Sequence, residues 1–362
     1  MKTVFSISTV FHLMISKLYI KKHDIKNAEI ICYSINSALP KIIKDDQTFD
    51  KSLIINRNEK ATNRVQIALK NKKNIQIAKK YLQNSKTTNL IVFKDNDIIN
   101  QALINSAYKN KVKIIMLEEG MGLYKINNNE NNYIKQNILK RGLLSYPKYI
   151  YQYQGMNSKV DEIMASFPDH LPKEKREKKL ISPMGMHEVS AINIESLYDY
   201  FNINTINLSK KNFKSCTTIL YIGQPFSEFK SLSFQEEKLA LENFFNQLFN
   251  YGSIKLIIKP HPSERLEKYK RYIENPSVTI IEEYHIPAEL IPAKVNVDFV
   301  LTGYSSACYY INKWYGIECF SLYKQFFAKS PNQSLSYQMI ELFNIKILEN
   351  FSEIEDIISS QN

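Results

Sequence analysis

Short apolar runs alternate with helical segments along most of this sequence, and that alternation limits the fold more than any other feature. The runs NLIVF (89–93), VKIIML (112–117) and IKLIIK (254–259) are mostly apolar and too short for helices. Strands without a polar face occur in parallel sheets that helices cover on both sides. The alternation therefore predicts an α/β fold built on doubly wound parallel sheets.

The chain length and a break in this rhythm predict two domains. A chain of 362 residues is too long for one ordinary core. The pattern loosens near residue 125 and resumes with TTILYIG at 217–223. We therefore expect two Rossmann-like domains facing a cleft, with a ligand at the carboxyl ends of their strands. The predicted segments are an N-terminal domain (1–165), a linker (166–215), a C-terminal domain (216–345) and a C-terminal helix that packs back on the N-terminal domain (346–362).

The charge of the chain favours an anionic partner. Lys and Arg outnumber Asp and Glu by 48 to 36, so the formal net charge is +12. Such a surplus attracts nucleotides, nucleic acids or acidic membrane surfaces. The basic residues are spread along the chain and form no recognisable nucleic-acid motif, so we predict no nucleic-acid partner. An anionic substrate or a membrane surface remains.

Cysteine usage and hydropathy indicate the compartment. The four cysteines form no C-x-x-C motif, which is typical of proteins in a reducing compartment. His12 and Lys17 interrupt the apolar run near the N-terminus, unlike in a signal peptide. No stretch approaches the roughly 18 apolar residues of a membrane span. We expect a cytoplasmic protein, either free or resting on the inner face of the plasma membrane.

Two adjacent acidic residues follow one of the predicted buried strands. Glu118 and Glu119 come directly after VKIIML, and Gly120 allows the backbone to turn sharply there. Mutual repulsion and partial desolvation both raise the pKa of such carboxyls toward the range of a general base. The alternative is an ordinary acidic helix N-terminus, which the helix dipole stabilises.

A histidine between two prolines follows another strand. Pro260 and Pro262 fix the backbone on either side of His261, immediately after IKLIIK. A stiff backbone just past a strand end can present the imidazole to a ligand. The alternative is a solvated histidine in a polar loop.

Three further strand ends carry polar groups. Gln224 and Pro225 follow TTILYIG, whose last residue is Gly223, and form a small turn with an amide. Glu289 follows Pro287 in the first turn of a predicted helix, where a carboxylate can accept both hydroxyls of a ribose. The turn TGYSS (302–306) enters a helix, so free N–H groups and the hydroxyls of Ser305 and Ser306 could bind a phosphate. A serine cap without any ligand is the alternative.

Together these motifs resemble a known family. The order Glu118-Glu119-Gly120, His261-Pro262, Ser305-Ser306 is similar to the acidic-acidic-Gly, His-Pro and paired Ser/Thr motifs of bacterial sialyltransferases. The resemblance is closest to glycosyltransferase family 52, the lipooligosaccharide sialyltransferases, with the capsular polysialyltransferases as near relatives. It implies a GT-B architecture, in which 1–165 is the acceptor side and 216–345 binds the nucleotide sugar.

The resemblance also implies a role for each residue. Glu119 would deprotonate an acceptor hydroxyl that attacks CMP-sialic acid, with Glu118 as the next candidate. His261 would donate to the phosphate of the leaving CMP. The residues implied in donor binding are Gly223, Gln224, Pro262, Glu289, which would hold the ribose, and Ser305 and Ser306, which would hold the phosphate. The transfer to a glycan acceptor would be inverting and would need neither metal nor cofactor.

Three alternatives stay open. Asp95-Asn96-Asp97 could chelate a divalent metal under a sugar diphosphate, although an Asp helix cap explains the motif more simply. A GT-B enzyme could also transfer glucose or a polyol phosphate instead of sialic acid. Finally, the chain could bind sugar nucleotides without catalysing a reaction. The sequence leaves the acceptor sugar, the linkage and the number of residues added undetermined.

Overall fold

The computed structural model of the chain divides into two compact units, Met1–Asn193 and Ile194–Asn362. It describes residues 1–34, 38–44, 46–55, 64–125, 133–136, 138, 140–141, 146–177, 179–189, 191–203, 216–327 and 335–361. No helix in these parts of the chain is both long enough and apolar enough to cross a membrane.

The first unit is built on a parallel sheet. Its strand order is β3-β2-β1-β4-β5-β8-β9, and every neighbouring pair is parallel. The strands β6 and β7 form a separate antiparallel pair. The elements are β1 (Lys2–Ile7), α1 (Val10–Lys22), β2 (Asn27–Cys32), α2 (Ala38–Lys44), β3 (Lys51–Ile54), α3 (Arg64–Asn84), β4 (Asn89–Val92), α4 (Ile98–Lys109), β5 (Lys113–Leu117), β6 (Tyr133–Lys135), β7 (Tyr149–Tyr151), β8 (Glu162–Ala165), α5 (Lys173–Arg176) and β9 (Leu180–Pro183).

The second unit repeats the same design. Its sheet has the order β12-β11-β10-β13-β14-β15, again with every pair parallel. Helix α6 (Ala191–Tyr200) spans the boundary between the units. The further elements are β10 (Thr217–Ile222), α7 (Phe234–Asn250), β11 (Ile254–Lys259), β12 (Val278–Ile280), β13 (Phe299–Thr302), α8 (Ala307–Tyr315), β14 (Glu318–Ser321), α9 (Tyr323–Phe326), α10 (Leu335–Leu342), β15 (Lys346–Ile347) and α11 (Ser352–Gln361).

Both sheets change direction next to their first strand. The chain runs outward from β1 to β3 on one side and then returns to β4 on the other. In the second unit the same reversal falls between β10 and β13. At such a switch point the connections leave in opposite directions and open a crevice at the carboxyl ends of the strands. The predicted doubly wound, Rossmann-like fold is therefore confirmed for each unit.

The domain boundaries differ from the prediction. The predicted first domain stops at residue 165, whereas β9 pairs with β8 and extends the sheet to Pro183. Residues 166–193 thus belong to the first unit and not to a linker. The part of the predicted linker at 204–215 lies outside the described residues. The strands β8 and β9 were missed because four-residue strands that include a polar residue give little apolar signal.

The C-terminal segment was also placed wrongly. We predicted that residues 346–362 pack back on the N-terminal domain. Instead β15 pairs with β14, and Ile354 and Ile358 of α11 join the core of the second unit together with Phe244 and Leu248 of α7. The segment completes the second unit, because its apolar stripe covers the face of that unit's own sheet.

Candidate active site

Glu119 lies at the carboxyl edge of the first sheet, just after β5, among three polar side chains. Its Oε1 is 2.6 Å from Lys94 Nζ and 3.0 Å from His12 Nε2, and its Oε2 accepts a hydrogen bond from Gln154 Nε2 at 3.0 Å. Lys94 follows β4, and His12 lies in the first turn of α1, which follows β1. The residues therefore meet at the switch point because β1, β4 and β5 are neighbours.

His12 is fixed by its surroundings. The ring is completely buried and stacks on Phe93, with centroids 4.2 Å apart and an angle of 7° between the planes. The backbone N–H of Ser8 donates to Nδ1 at 3.1 Å. Burial lowers the pKa of His12, which keeps the ring neutral. Because Nδ1 accepts, the proton of the neutral ring is on Nε2, the atom that faces Glu119.

These partners keep Glu119 ionised. Burial opposes ionisation, but His12 and Lys94 outweigh it and lower the pKa of the Glu119 carboxyl to about 2. The expectation of a raised pKa was therefore wrong for this residue. It missed the cationic and hydrogen-bonding groups that the neighbouring strands supply.

Glu118 behaves in the opposite way. Its side chain is buried, and burial raises the pKa of the carboxyl to about 7. It accepts hydrogen bonds from Tyr124 Oη at 2.5 Å and from the N–H of Ser166 at 2.6 Å. These bonds join the turn after β5 to the end of β8. The expected rise in pKa is therefore found at Glu118. The hydrogen bonds of Glu118 hold the backbone in place, whereas Glu119 contacts the polar side chains at the carboxyl edge of the sheet.

His261 lies at the carboxyl edge of the second sheet, after β11. The N–H of Ser263 donates to His261 Nδ1 at 3.1 Å, so the ring proton of the neutral form is on Nε2. The His261 N–H in turn donates to Glu264 Oε2 at 2.6 Å, and its carbonyl accepts from the N–H of Glu264 at 2.9 Å. Pro262 is exposed on the outside of this turn. The turn thus fixes both the backbone and the tautomer of His261.

A buried charge cluster supports the His261 turn. Lys268 is fully buried, and its Nζ lies 2.7 Å from Glu237, 2.8 Å from Glu228 and 3.3 Å from Glu264. Tyr269 Oη also donates to Glu264, at 2.9 Å. Burial raises the pKa of Glu264 to about 7 against the pull of Lys268. Glu264 is not among the residues predicted from the sequence, although its position three residues after His261 is where a turn closes.

Gly223 and Gln224 fit closely among these groups. A Cβ on Gly223 would lie 2.1 Å from Glu264 Oε2 and 2.7 Å from Tyr269 Oη, so only glycine is accommodated after β10. A Cβ on Gly303 would lie 3.5 Å from Gln224 Cγ, which places the turns after β10 and β13 side by side. The structure therefore brings Gly223, Gln224 and His261 to one edge of the second sheet.

Ser305 and Ser306 lie at the N-terminus of α8 on the same edge. Ser305 Oγ accepts from the N–H of Ala307 at 3.3 Å. Ser306 is the N-cap residue of α8, but its side chain makes no capping hydrogen bond. The alternative of a plain serine cap therefore fails for Ser306. The helix begins at Ala307, and the N–H groups of Cys308 and Tyr309 in its first turn donate to the carbonyls of Ser305 and Ser306 at 3.2 and 3.1 Å.

Glu289 is buried in a short 3-10 helix (Ala288–Ala293) that replaces the predicted α-helix. Burial raises the pKa of Glu289 to about 7, against a smaller opposing effect of Lys259. Lys259 Nζ donates to the carbonyl of Glu283 at 2.8 Å, and burial lowers the pKa of Lys259 to about 8. Glu289 and Lys259 thus lie beside the loop that follows β12.

The two aspartates of the metal alternative have structural roles. Asp97 caps α4, because its side chain accepts from the N–H groups of Ile99 and Asn100. Asp95 is buried and accepts from the N–H groups of Gly155 and Asn157, each at 2.7 Å. The capping explanation is confirmed for Asp97. Within the part of the chain that the structure describes, no group of three or more His, Cys, Asp or Glu side chains could hold a metal ion.

Several solved structures share the fold of the whole chain. The UDP-GlcNAc 2-epimerase of Methanocaldococcus jannaschii is 14% identical, with a TM-score of 0.57 over 99% of this chain and 92% of the other. The UDP-GlcNAc 2-epimerase of Neisseria meningitidis is 13% identical, with a TM-score of 0.58 over 100% and 99%. The GT-B domain of the Photobacterium damselae sialyltransferase (its residues 113–497) is 11% identical, with a TM-score of 0.53 over 96% and 100%. At such identities the likeness shows the fold alone, and that fold is GT-B.

The sequence itself identifies the family. No curated protein sequence matches the chain. Residues 3–324, however, match the model of the alpha-2,8-polysialyltransferase family, a range that includes all three motifs. The resemblance to bacterial GT-B sialyltransferases is thereby confirmed. The chain belongs to the alpha-2,8-polysialyltransferase family and is a sialyltransferase with the GT-B fold.

Proposed function

We propose that the enzyme transfers sialic acid from CMP-sialic acid to the terminal sugar of a bacterial surface glycan, a lipooligosaccharide or a capsule. The reaction inverts the anomeric carbon and uses neither a metal nor a cofactor. The observation that carries this mechanism is the hydrogen bond from Ser263 N–H to His261 Nδ1. It places the ring proton of the neutral form on Nε2, and we propose that this N–H donates to the phosphate of the leaving CMP.

Glu119 serves as the proton acceptor. The acceptor hydroxyl gives its proton to the ionised carboxylate while its oxygen bonds to the anomeric carbon of the sialic acid. The bond from that carbon to the CMP phosphate oxygen breaks, and its electron pair stays on the phosphate. The low pKa of Glu119 keeps the carboxylate ionised, and so unoccupied by a proton, at any physiological pH. Lys94 and His12 hold the carboxylate in one orientation.

The second unit supplies what the leaving group needs. A nucleoside monophosphate carries less charge than a diphosphate, so fixed N–H and O–H donors can stabilise it without a metal. We assign this role to the His261 ring and to the hydroxyls of Ser305 and Ser306. We assign Glu289 to the ribose hydroxyls, and Gly223 and Gln224, in the turn after β10, to the nucleotide.

The donor and the acceptor can be tested together. The purified enzyme is offered CMP-sialic acid, UDP-glucose or CDP-glycerol, with and without EDTA, and with acceptors ending in galactose or in sialic acid. We expect transfer from CMP-sialic acid alone, insensitive to EDTA, with an α-linked product by NMR. Transfer from UDP-glucose or CDP-glycerol, or loss of activity with EDTA, would contradict the proposal. The family favours acceptors that end in sialic acid.

We also propose that the enzyme works in the cytoplasm on the inner face of the plasma membrane, where lipid-linked glycans are assembled. The support is the net charge of +12, because anionic lipids attract basic residues.

A further inference from the structure

The N-terminal half of α3 exposes apolar side chains. In the second half of this helix, Ile75, Ala78 and Leu82 are buried, and the helix packs against α4. In the first half the exposed fractions are 68% for Val65 and 55% for Leu69. Removing apolar side chains from water is favourable. Val65 and Leu69, which are one helical turn apart, would therefore gain free energy if a partner covered them.

The charge of the same helix is entirely of one sign. The 21 residues of α3 include five lysines and one arginine but no aspartate or glutamate. Most surface helices mix both signs, and acidic residues would screen the lysines. Here nothing on the helix itself offsets its positive charge.

Two of the exposed apolar side chains of α3, Val65 and Leu69, share one face with three of its lysines, of which Lys72 is half-buried. The spacing of these residues along the helix is one, three, four or seven positions, so their side chains lie close together around its axis. They lie on the side of α3 opposite the buried Ile75, Ala78 and Leu82. The five residues are Val65, Leu69, Lys72, Lys73 and Lys80. A helix with apolar residues and lysines on its outer face can lie in the interface of a bilayer.

We infer that this face, named here the α3 face (Val65, Leu69, Lys72, Lys73 and Lys80), docks the enzyme on anionic lipid. The two apolar side chains enter the headgroup region while the lysines pair with lipid phosphates. A polyanionic glycan would engage the lysines but gain nothing from Val65 and Leu69. A second copy of the chain would bring two positive helices together, which is unfavourable. The inference specifies the membrane contact that we propose above, and it is independent of the donor.

Vesicle co-sedimentation tests the α3 face. The full chain is mixed with phosphatidylcholine vesicles that contain or lack phosphatidylglycerol, at low and at physiological salt. We expect binding to the anionic vesicles only, weaker at high salt. Val65→Ser/Leu69→Ser and Lys73→Gln/Lys80→Gln should each lower the partition coefficient by about tenfold or more. Leu239→Ser on α7, where the side chain is 58% exposed, is the matched control and should bind normally.

Other results would overturn the inference. If only the lysine variant loses binding, and soluble polysialic acid competes with vesicles, the face binds a polyanionic glycan. If Val65→Ser/Leu69→Ser changes the mass in solution but not vesicle binding, the face joins two copies of the chain. Transfer to a soluble acceptor is measured in parallel, and the α3 variants should keep it. A failure of the lipid inference is thereby distinguished from a failure of the proposed reaction.

Discussion

The carboxyl edges of the two sheets have the same topology and opposite proton chemistry. At the first edge, Lys94 and His12 converge on Glu119 and lower the pKa of its carboxyl to about 2. At the second edge, burial dominates and raises the pKa of Glu264 and of Glu289 to about 7. One edge thus holds a carboxylate that stays ionised. The other holds two carboxyls that protonate more readily, Glu264 beneath the His261 turn and Glu289 in the 3-10 helix.

The difference comes from which side chains follow the strands. Both sheets place polar residues at a switch point, but among the described residues only the first places a lysine and a buried histidine within 3.0 Å of a single carboxylate oxygen. In the second, Lys268 is shared among three carboxylates below the His261 turn. The fold therefore provides the location, and the charge neighbours decide whether a group there accepts or donates a proton.

Among substitutions at the carboxyl edge of the second sheet, the loss of the His261 side chain should lower turnover the most. We expect His261→Ala to lower turnover by about 10²–10⁴, the usual contribution of a positioned acid or base. Steady-state transfer from CMP-sialic acid measures this, with the fold checked by circular dichroism. Near-normal turnover in a folded variant would remove His261 from the mechanism.

The phosphate contacts of the second edge should have the next largest effect. Ser305→Ala/Ser306→Ala should weaken CMP binding by about 10- to 100-fold, since hydrogen bonds to charged groups contribute about 1.5–3 kcal/mol. Acceptor affinity should change little. Calorimetry with CMP measures the loss, and an unchanged affinity would show that both residues serve only the helix.

The support beneath His261 should have a smaller effect. Glu264→Ala removes the acceptor of the His261 N–H, so we expect kcat to fall about tenfold, as for the loss of about 1.4 kcal/mol. The donor KM should stay nearly constant, because Glu264 acts through His261. Glu264→Gln keeps an oxygen acceptor and should recover most of the rate. An equal loss in both variants would contradict a positioning role.

Glu118 tests the comparison through stability. Its pKa is about 7 in the folded chain, against roughly 4.3 when unfolded. Between these values the folded state binds more protons, so the contribution of Glu118 to the free energy of unfolding falls as pH rises from about 4 to 7. Glu118→Gln should remove this slope. Chemical denaturation of both proteins at pH 5 and pH 8 measures it, and we expect the variant to gain stability relative to the wild type at pH 8. A gap that does not widen with pH would show that Glu118 is ionised throughout.

The sequence predicted the fold well where strands are long and apolar. KIIML and IKLIIK stand out because both faces of the strand are buried. The strands β3, β8 and β9 escaped prediction because KSLI, EIMA and LISP are short and carry polar residues. Sheet pairing stabilises them, and local sequence does not record that pairing.

The sequence allowed us to predict those site residues that directly follow a strand, but not the partners that come from other parts of the chain. Glu119 and His261 follow their strands directly, and so does Lys94, which the same rule would have found. His12 lies inside an apolar run, and its meeting with Glu119 depends on the order of strands in the sheet. Because charge partners come from distant parts of the chain, the sign of the pKa shift at Glu119 could not be inferred from its neighbour Glu118 alone.

The central claim is that two adjacent carboxylates have separate tasks, and single-turnover transfer from CMP-sialic acid by Glu119→Gln and Glu118→Gln tests it most directly. Glutamine keeps the size of both side chains, so the pair isolates the loss of each charge. We predict that Glu119→Gln loses about 10²–10⁴ in the transfer rate, whereas Glu118→Gln, which can keep its bonds to Tyr124 and Ser166, loses far less. The reverse order would contradict the account and make Glu118 the base.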